Sequence, residues 1–166
     1  MNGRSSDVVW EESLISREQR WSTLGNRGAT VWFTGLSGSG KSSVAAACER
    51  LLMAAGRPAY LLDGDNLRFG LNGDLGFSID DRNENVRRVS EVARLFADAG
   101  FVALVPLISP YRAARERARD LHEIAGLLFL EVYLDTPIEV CEERDSKGLY
   151  ARARSGELTG FTGVDD

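Results

Sequence analysis

The stretch that decides the fold is Ala29-Thr30-Val31-Trp32-Phe33-Thr34-Gly35-Leu36-Ser37-Gly38-Ser39-Gly40-Lys41-Ser42. Its first part is an apolar run typical of a buried strand, and its second part matches G-x-x-x-x-G-K-[ST], the pattern of a phosphate-binding loop (P-loop). A glycine-rich turn is the alternative, but glycines that let N–H groups converge, followed by a helix N-terminus, favour an anion site. The sequence therefore predicts a nucleoside triphosphate site, with Lys41 near the β- and γ-phosphates and the Ser42 hydroxyl on Mg²⁺.

Length and charge restrict the classes of function. A chain of 166 residues, 43% of them hydrophobic, is sufficient for one domain with one sizeable core. The net charge of −5, from 25 acidic and 20 basic residues, argues against a general nucleic-acid or anionic-membrane binder. No apolar run approaches transmembrane length and no basic-then-apolar signal opens the chain, so we expect no membrane partner. The positive charge that an anionic substrate needs must be local.

The two cysteines, Cys48 and Cys141, are far apart and neither has a C-x-x-C partner. The sequence therefore indicates neither a metal site nor a disulfide, and the expected compartment is a reducing cytoplasm. Cys48 is in helical step with Val44 and Leu51, which predicts that these side chains share a buried helix face, and Cys141 is in step with Ile138.

The rest of the chain alternates short apolar runs with helical patterns. The predicted strands are 29–34, 59–62, 101–108 and 127–134, and the predicted helices are 16–24, 41–56, 78–100, 109–125 and 136–144. Capping boxes at 16–19 and 136–139, and the pair Ser109-Pro110, are the predicted starts of three helices. This alternation predicts an α/β fold, a P-loop NTPase-type three-layer sandwich with a mostly parallel sheet. Ligands gather at the carboxyl ends of such strands, where Asp63, Ser109 and Asp135 lie.

Further blocks follow the P-loop in a fixed order. They are Asp63-Gly64-Asp65-Asn66-Leu67-Arg68, Gly76-Phe77-Ser78, Asp81-Arg82-Asn83-Glu84-Asn85-Val86-Arg87-Arg88, Pro106-Leu107-Ile108-Ser109-Pro110, Glu143-Arg144-Asp145-Ser146-Lys147-Gly148-Leu149-Tyr150 and Gly160-Phe161-Thr162-Gly163. Together with the P-loop, these blocks closely resemble the adenylylsulfate (APS) kinase family. The resemblance covers roughly residues 29–166, and residues 1–28 match more loosely.

The resemblance implies an enzyme that uses MgATP to phosphorylate the 3′-hydroxyl of adenosine 5′-phosphosulfate (APS) in sulfate assimilation, giving ADP and the 3′-phosphorylated product (PAPS). It implies an N-terminal extension over 1–28 with a short helix, and a P-loop kinase domain over 29–166 that includes a lid segment, 144–163. Family members continue past Asp165-Asp166 with another strand and helix, so we expect part of the adenine pocket for ATP to be missing. A homodimer is also implied, and fusion to or complex formation with a sulfate-adenylylating protein, as in some bacteria, is a further expectation.

The resemblance also assigns site residues. Those expected to bind ATP are Gly35, Leu36, Ser37, Gly38, Ser39, Gly40, Lys41, Ser42, Ser43 and Arg144. Those expected to bind APS are Asp65, Arg68, Phe77, Arg82, Asn85, Ile108, Ser109, Lys147, Leu149 and Phe161. Lys41, Asp63 and Ser109 are the catalytic candidates, and Mg²⁺ is expected on Ser42 and, through water, on Asp63.

Most of these assignments have a structural alternative. Asp63 ends a strand and could cap a turn instead, and Lys147 could be a solvated loop lysine. Arg68 and Arg82 could be ordinary surface charges. However, an acidic chain must gather its cations locally to hold a phosphosulfate, and a planar guanidinium matches that anion bidentately.

Two roles are considered for each of the aromatic candidates, Phe77 and Phe161, and for Ser109. Phe77 and Phe161 lie in glycine-rich segments without core periodicity, and the resemblance makes them the two faces of a stack around the substrate adenine. Ser109 is the position of a phosphoserine intermediate described for the family. Before Pro110 it is also a favoured helix N-cap, and direct transfer needs only one displacement, so we predict a cap rather than an intermediate. His122, the only histidine, is predicted to lie on the helix surface or to pack within the fold.

Two other functions compete with this interpretation. Another small-molecule kinase, acting on a sugar acid or a nucleoside monophosphate, would share the P-loop but not the blocks around Arg82 and Lys147. A nucleotide-sensing module or GTPase-like switch would need a base-reading N-K-x-D segment, which the sequence lacks.

Overall fold

Strands β1 (Ala29–Thr34), β2 (Ala59–Leu61), β3 (Val102–Pro106) and β4 (Leu128–Tyr133) form one parallel sheet in the computed structural model, which describes residues 8, 9, 11 and 13–165. Their order is β2-β3-β1-β4, and Val31 at the centre of β1 lies opposite Leu104 and Leu130. Since every described strand is parallel to its neighbour, their carboxyl ends meet at one edge of the sheet. The predicted fold class is confirmed.

Helices cover both faces of this sheet. They are α1 (Arg17–Leu24), α2 (Lys41–Ala54), α3 (Gly64–Leu67), α4 (Ile79–Ala99), α5 (Arg112–Ile124), α6 (Ile138–Arg144) and α7 (Leu149–Arg154). Trp32 and Val105 point towards α4 and α5 and form a buried cluster with Val89, whereas Phe33 and Leu104 pack with α2. Alternate residues of β1 and β3 therefore serve two cores, as expected for a sheet between two helical layers.

The buried face of α2 differs from the predicted one. Val44 and Leu51 are exposed, and the side chains that pack on the sheet are those of Ala45, Cys48 and Leu52. Cys48 was placed in the core correctly, but its predicted helical companions were wrong. The reason is the P-loop, because Lys41 at the first helical position is itself buried and sets the rotation of the helix.

Two predicted helix caps are also wrong, whereas the capping box of Ser16 and Gln19 is present. The N-cap of α5 is Tyr111, and Ser109 makes no capping bond there. The N-cap of α6 is Pro137, and the hydroxyl of Thr136 donates to the carbonyl of Ser39 instead, at 3.0 Å. The hydroxyl groups of Ser109 and Thr136 both form hydrogen bonds at the edge of the sheet that carries the P-loop.

Helix α1 packs against the far end of α4. Arg17 and Arg20 both pair with Asp98, and the Arg17 guanidinium also donates to the carbonyl of Ala125, at 2.7 Å. The buried Asn26 amide donates to the carbonyl of Gly100 at 2.7 Å. The short N-terminal helix is thus fixed to the ends of α4 and α5 by side-chain hydrogen bonds.

The segment after α6 has a small core of its own. No helix was predicted beyond residue 144, but α7 buries Tyr150 and Ala153 against Cys141 and Phe161. This cluster lies against the P-loop, because Leu36 packs on it. Across the described part of the chain, no helix combines the length and apolar character needed to cross a membrane.

Candidate active site

The P-loop follows β1 directly and curls as the sequence predicts. Gly38 has a φ of 74°, and a Cβ atom there would lie 2.9 Å from the carbonyl oxygen of Cys141. Gly35 is similarly restricted, since a Cβ atom would lie 2.8 Å from the carbonyl oxygen of Leu134. Glycine is therefore required at both positions by backbone conformation and by the close approach of a neighbouring segment.

Lys41 lies inside the loop that it completes. Its side chain is 8% exposed, and its ammonium donates to the carbonyl of Leu36 at 2.6 Å. Burial lowers the pKa of Lys41 to about 8, so the group remains mostly charged at neutral pH. The Lys41 ammonium therefore lies within the P-loop, and its position near the phosphates of ATP stays a prediction.

Ser42 and Asp63 form the second part of the site. The Ser42 hydroxyl donates to Oδ2 of Asp63 at 2.8 Å, while Oδ1 of Asp63 accepts the backbone N–H groups of Asp65 and Asn66. Asp63 is thus the N-cap of α3, which was the structural alternative, and also the direct neighbour of Ser42. One carboxylate oxygen orients the side chain and the other faces the P-loop helix.

Two predicted substrate residues, Arg68 and Phe77, contact each other. The Arg68 guanidinium lies 4.3 Å from the centre of the Phe77 ring and donates to the carbonyl groups of Leu75 and Gly76. Burial and the nearby charge of Arg82 lower the pKa of Arg68. Two guanidinium groups are therefore close enough to repel each other, although the charges of Asp65 and Asp81 oppose this effect at Arg68. Such a pair is a favourable arrangement for binding an anion.

Arg82 connects the start of α4 to the lid segment. It donates to the carbonyl of Phe77 at 2.9 Å, to the hydroxyl of Thr162 at 2.8 Å and to the carbonyl of Gly160. At the other end of the lid segment, Lys147 forms an ion pair with Asp65. The predicted cations thus hold the lid segment against the body of the protein.

Three further candidates for APS binding, Asn85, Phe77 and Phe161, differ in how far their side chains are exposed. Asn85 is buried, and its Oδ1 accepts a hydrogen bond from the Asn72 amide at 2.9 Å. Phe77 is 67% exposed, whereas Phe161 is buried edge-on against Tyr150, with ring centres 5.0 Å apart. The expectation that Phe161 lies outside any core is wrong, because α7 supplies partners that the sequence pattern did not show.

Ser109 lies at the carboxyl end of β3, deeply buried. It is 1% exposed, and its Oγ accepts the indole N–H of Trp32 at 3.0 Å and shares a hydrogen bond of 2.9 Å with the Thr34 hydroxyl. Ile108 and Ser109 line a cavity of about 240 Å³ together with Gly35, Leu36 and Thr162. This cavity joins predicted ATP and APS residues to the lid segment.

Arg144, Leu149 and Ser43 complete the predicted set. Arg144 donates to the carbonyl of Gly38 at 3.0 Å, and Leu149 packs on the cluster around Tyr150. Ser43 is exposed on the first turn of α2. The sequence interpretation missed Trp32, Thr34, Thr136 and Tyr150, whose polar atoms bind Ser109 or the P-loop.

Comparison with known proteins gives one consistent result. A family model described as adenylylsulphate kinase matches residues 27–166. The adenylyl-sulfate kinase of Clostridium acetobutylicum is 57% identical over 164 residues, which are 99% of this chain and 80% of that protein. The chain belongs to the adenylylsulfate kinase family. A second relative, chloroplastic adenylyl-sulfate kinase 4 of Arabidopsis thaliana, is 51% identical over all of this chain and 53% of its own length.

Solved structures agree with the adenylylsulfate kinase assignment. The APS kinase of Mycobacterium tuberculosis in complex with AMPPNP and APS is 62% identical, has a TM-score of 0.82, and is matched over 85% of this chain and 82% of its own. A gluconokinase from Sinorhizobium meliloti is 25% identical with a TM-score of 0.51, over 81% of this chain and 69% of its own. The sugar-acid kinase is thus a more distant relative.

Proposed function

We propose that this adenylylsulfate kinase transfers the γ-phosphoryl group of ATP to the 3′-hydroxyl of APS, giving PAPS and ADP. The observation that carries the proposal is the meeting of three groups at the carboxyl edge of the sheet. These are the P-loop with Lys41, the Ser42–Asp63 pair beside it, and the arginines Arg68 and Arg82 of the acceptor side. The M. tuberculosis kinase, solved with AMPPNP and APS, supports both ligands.

Phosphoryl transfer needs positioning and charge more than covalent chemistry. The P-loop N–H groups bind the phosphates of ATP, and the Lys41 ammonium exchanges the Leu36 carbonyl for phosphate oxygens. Asp63 lies at the end of β2, accepts the proton of the substrate hydroxyl and would hold Mg²⁺ through water. Its orientation is fixed by the N–H groups at the start of α3.

The Ser42 hydroxyl and the Asp63 carboxylate fit Mg²⁺, since both are hard oxygen donors and their oxygens are 2.8 Å apart. The ion would neutralise charge on the phosphates. The phosphosulfate of APS is bound by Arg68 and Arg82, and its adenine by Phe77 and Phe161. Binding requires Arg82 to release part of its contacts with Gly160 and Thr162, so the lid segment 144–163 responds to the substrate.

We extend the proposal to the rest of the set. Asp65, Asn85, Ile108, Ser109, Lys147 and Leu149 contact APS, and Ser43 and Arg144 contact ATP. The division into an extension over 1–28 and a kinase domain over 29–166 follows from the family resemblance. We also propose, on the same resemblance, a homodimer, a cytoplasmic location and association with a sulfate-adenylylating protein. Light scattering of the purified chain tests the dimer.

Release of ADP with a panel of acceptors tests the proposed function. The panel contains APS, gluconate, shikimate and nucleoside monophosphates, each with MgATP. We expect APS to accelerate ADP release and the others to leave it at the background rate. Faster release with gluconate or a nucleoside monophosphate than with APS would contradict the proposal and favour the alternative kinase.

A further inference from the structure

Four consecutive carbonyl groups of the P-loop each accept a hydrogen bond from a side chain. Leu36 O accepts from the Lys41 ammonium at 2.6 Å and Ser37 O from the Tyr150 hydroxyl at 2.9 Å. Gly38 O accepts from Arg144 and Ser39 O from the Thr136 hydroxyl, each at 3.0 Å. Only the first of these donors belongs to the P-loop motif, and the other three come from the chain after β4.

This pattern bears directly on phosphate binding. In a planar peptide the carbonyl and the following N–H point in opposite directions, so a donor that fixes one also fixes the other. A hydrogen bond to the Ser37 carbonyl therefore sets the direction of the Gly38 N–H. Gly38 has a φ of 74°. Without this hydrogen bond the backbone at Gly38 would be freer to rotate than that of any other residue type, because glycine has no Cβ atom.

Tyr150 differs from the other two outer donors in what it connects. Its side chain is 2% exposed, and its ring packs edge-on against Phe161 at 5.0 Å between centres. Burial raises the pKa of Tyr150 to about 12, so the hydroxyl keeps its proton and remains a donor. Tyr150, itself part of the lid segment, thus touches the P-loop with its hydroxyl and packs with its ring on Phe161 of the same segment.

We infer that Tyr150 is a positioning residue for ATP, whose hydroxyl holds the Ser37 carbonyl away from the phosphate site while its ring supports Phe161. The inference rests on the proposed function in two respects, that the P-loop binds ATP and that Phe161 contacts APS. The two halves of the side chain have separable effects. The hydroxyl acts on the ATP side, and the ring acts on the APS side.

Binding of AMPPNP with Mg²⁺ and of APS, each titrated separately by calorimetry, tests the inference in wild type and Tyr150→Phe. We expect Tyr150→Phe to bind AMPPNP about 3- to 10-fold more weakly, the effect of one neutral hydrogen bond, and APS within about twofold of wild type. In turnover the KM for ATP should rise, with the KM for APS unchanged. The melting temperature should hardly change, because Ser37 is partly exposed and water can reach the freed carbonyl.

Three further variants separate the contributions of the hydroxyl and the ring. Tyr60→Phe removes a hydroxyl from a half-exposed ring that stacks on Phe96 at the outer strand β2, so it should leave both affinities unchanged. Tyr150→Leu removes the ring as well and should weaken both ligands. Thr136→Val removes the donor to the Ser39 carbonyl and should, like Tyr150→Phe, weaken AMPPNP alone.

Equal affinity of wild type and Tyr150→Phe for AMPPNP would overturn the inference. An equal loss for AMPPNP and APS together with a lower melting temperature would also overturn it, because that result indicates a purely structural role. A wild type that binds no AMPPNP would contradict the proposed function and this inference together. A wild type that binds AMPPNP without phosphorylating APS would contradict the proposed function only.

Discussion

The hydroxyl of Ser109 takes part in a buried network with Trp32 and Thr34. Ser109→Ala leaves the Trp32 indole N–H without an acceptor, and we expect unfolding free energy to fall by about 1–3 kcal/mol. The reason differs from the lost helix cap that the sequence predicts. Turnover should remain measurable, because the hydroxyl is already engaged by Trp32 and Thr34 and direct transfer to the substrate hydroxyl does not need it. Urea unfolding and steady-state APS phosphorylation check the two parts.

The opposite result for Ser109 is equally specific. Rapid-quench analysis with γ-labelled ATP would detect a phosphoserine that forms and decays as fast as turnover. Such an intermediate, together with complete inactivity of a folded Ser109→Ala protein, would establish the covalent route.

The buried side chain of His122 should make the stability of the protein depend on pH. Its Nδ1 donates to the Ala118 carbonyl at 2.7 Å, which leaves Nε2 to accept the Thr30 hydroxyl at 2.9 Å. Burial lowers the pKa of His122 below its ordinary 6.5, and the charge of Arg94 adds to this, while Glu91 opposes it. The unfolded chain therefore binds the proton more readily, so stability is complete above pH 6.5 and is lost as pH falls.

We expect the free energy of unfolding to fall between pH 7.5 and 5.5, by at most about 1.4 kcal/mol, because a proton bound only by the unfolded chain changes this free energy by about 1.4 kcal/mol per pH unit. His122 is the only histidine, so few other side chains titrate in this window. His122→Leu should flatten the profile. An equally steep profile in His122→Leu would assign the effect to other groups.

At the scale of elements, the two ion pairs that help to attach α1 meet at one carboxylate, that of Asp98. Burial opposes the charged form of Asp98, but hydrogen bonds and charge from Arg17 and Arg20 outweigh it and lower the pKa. Asp98→Asn removes both ion pairs while keeping the shape, and we expect a loss of about 1–2 kcal/mol in unfolding free energy. Faster amide hydrogen exchange in α1 should accompany it.

Glu116→Gln is the matched control for Asp98→Asn. Glu116 pairs with Arg112 on the exposed face of α5, where a single ion pair contributes about 0.5 kcal/mol or less. Equal effects of the two variants, or unchanged exchange in α1, would show that the arginines do not attach this helix.

Most elements could be predicted because their signals are local. The strand before the P-loop, the long helix from Ser78 to Gly100 and the capping box at Ser16 each depend on neighbours in sequence. The caps at Ser109 and Thr136 were wrong because both hydroxyl groups bind partners about 75 to 97 positions away along the chain. Long-range polar contacts leave no periodicity to detect.

The residues of the candidate active site were likewise predictable only where their signal is local in sequence. Lys41, Ser42 and Asp63 follow from the motif and from the strand ends, and the structure brings them together. Tyr150 could not be found in this way, since a tyrosine on a short helix has no pattern that reports a carbonyl 113 positions earlier. Phe161 was misjudged for the same reason, because its burial depends on that tyrosine.

At the scale of the molecule, the parallel sheet brings the candidate active-site residues together at one edge. The carboxyl ends of β1, β2 and β3 carry the P-loop, Asp63 and Ser109, and α4 brings Arg82 to the lid segment at Thr162. A net charge of −5 is compatible with anionic ligands because a few cations, among them Lys41 and Arg82, lie at this edge. The central function of this edge is therefore the transfer of the γ-phosphoryl group from ATP to APS, and this is the claim to be tested.

Transfer of label from γ-³²P-ATP to APS measures that claim directly. We predict labelled PAPS from the wild-type chain, with the label removed by a 3′-specific nucleotidase. Lys41→Met, which keeps the buried stem and removes the charge, should transfer label at least about 100-fold more slowly, a loss of about 3 kcal/mol or more in transition-state stabilisation. Absence of labelled PAPS with the wild type, or near-normal transfer by Lys41→Met, would contradict the account.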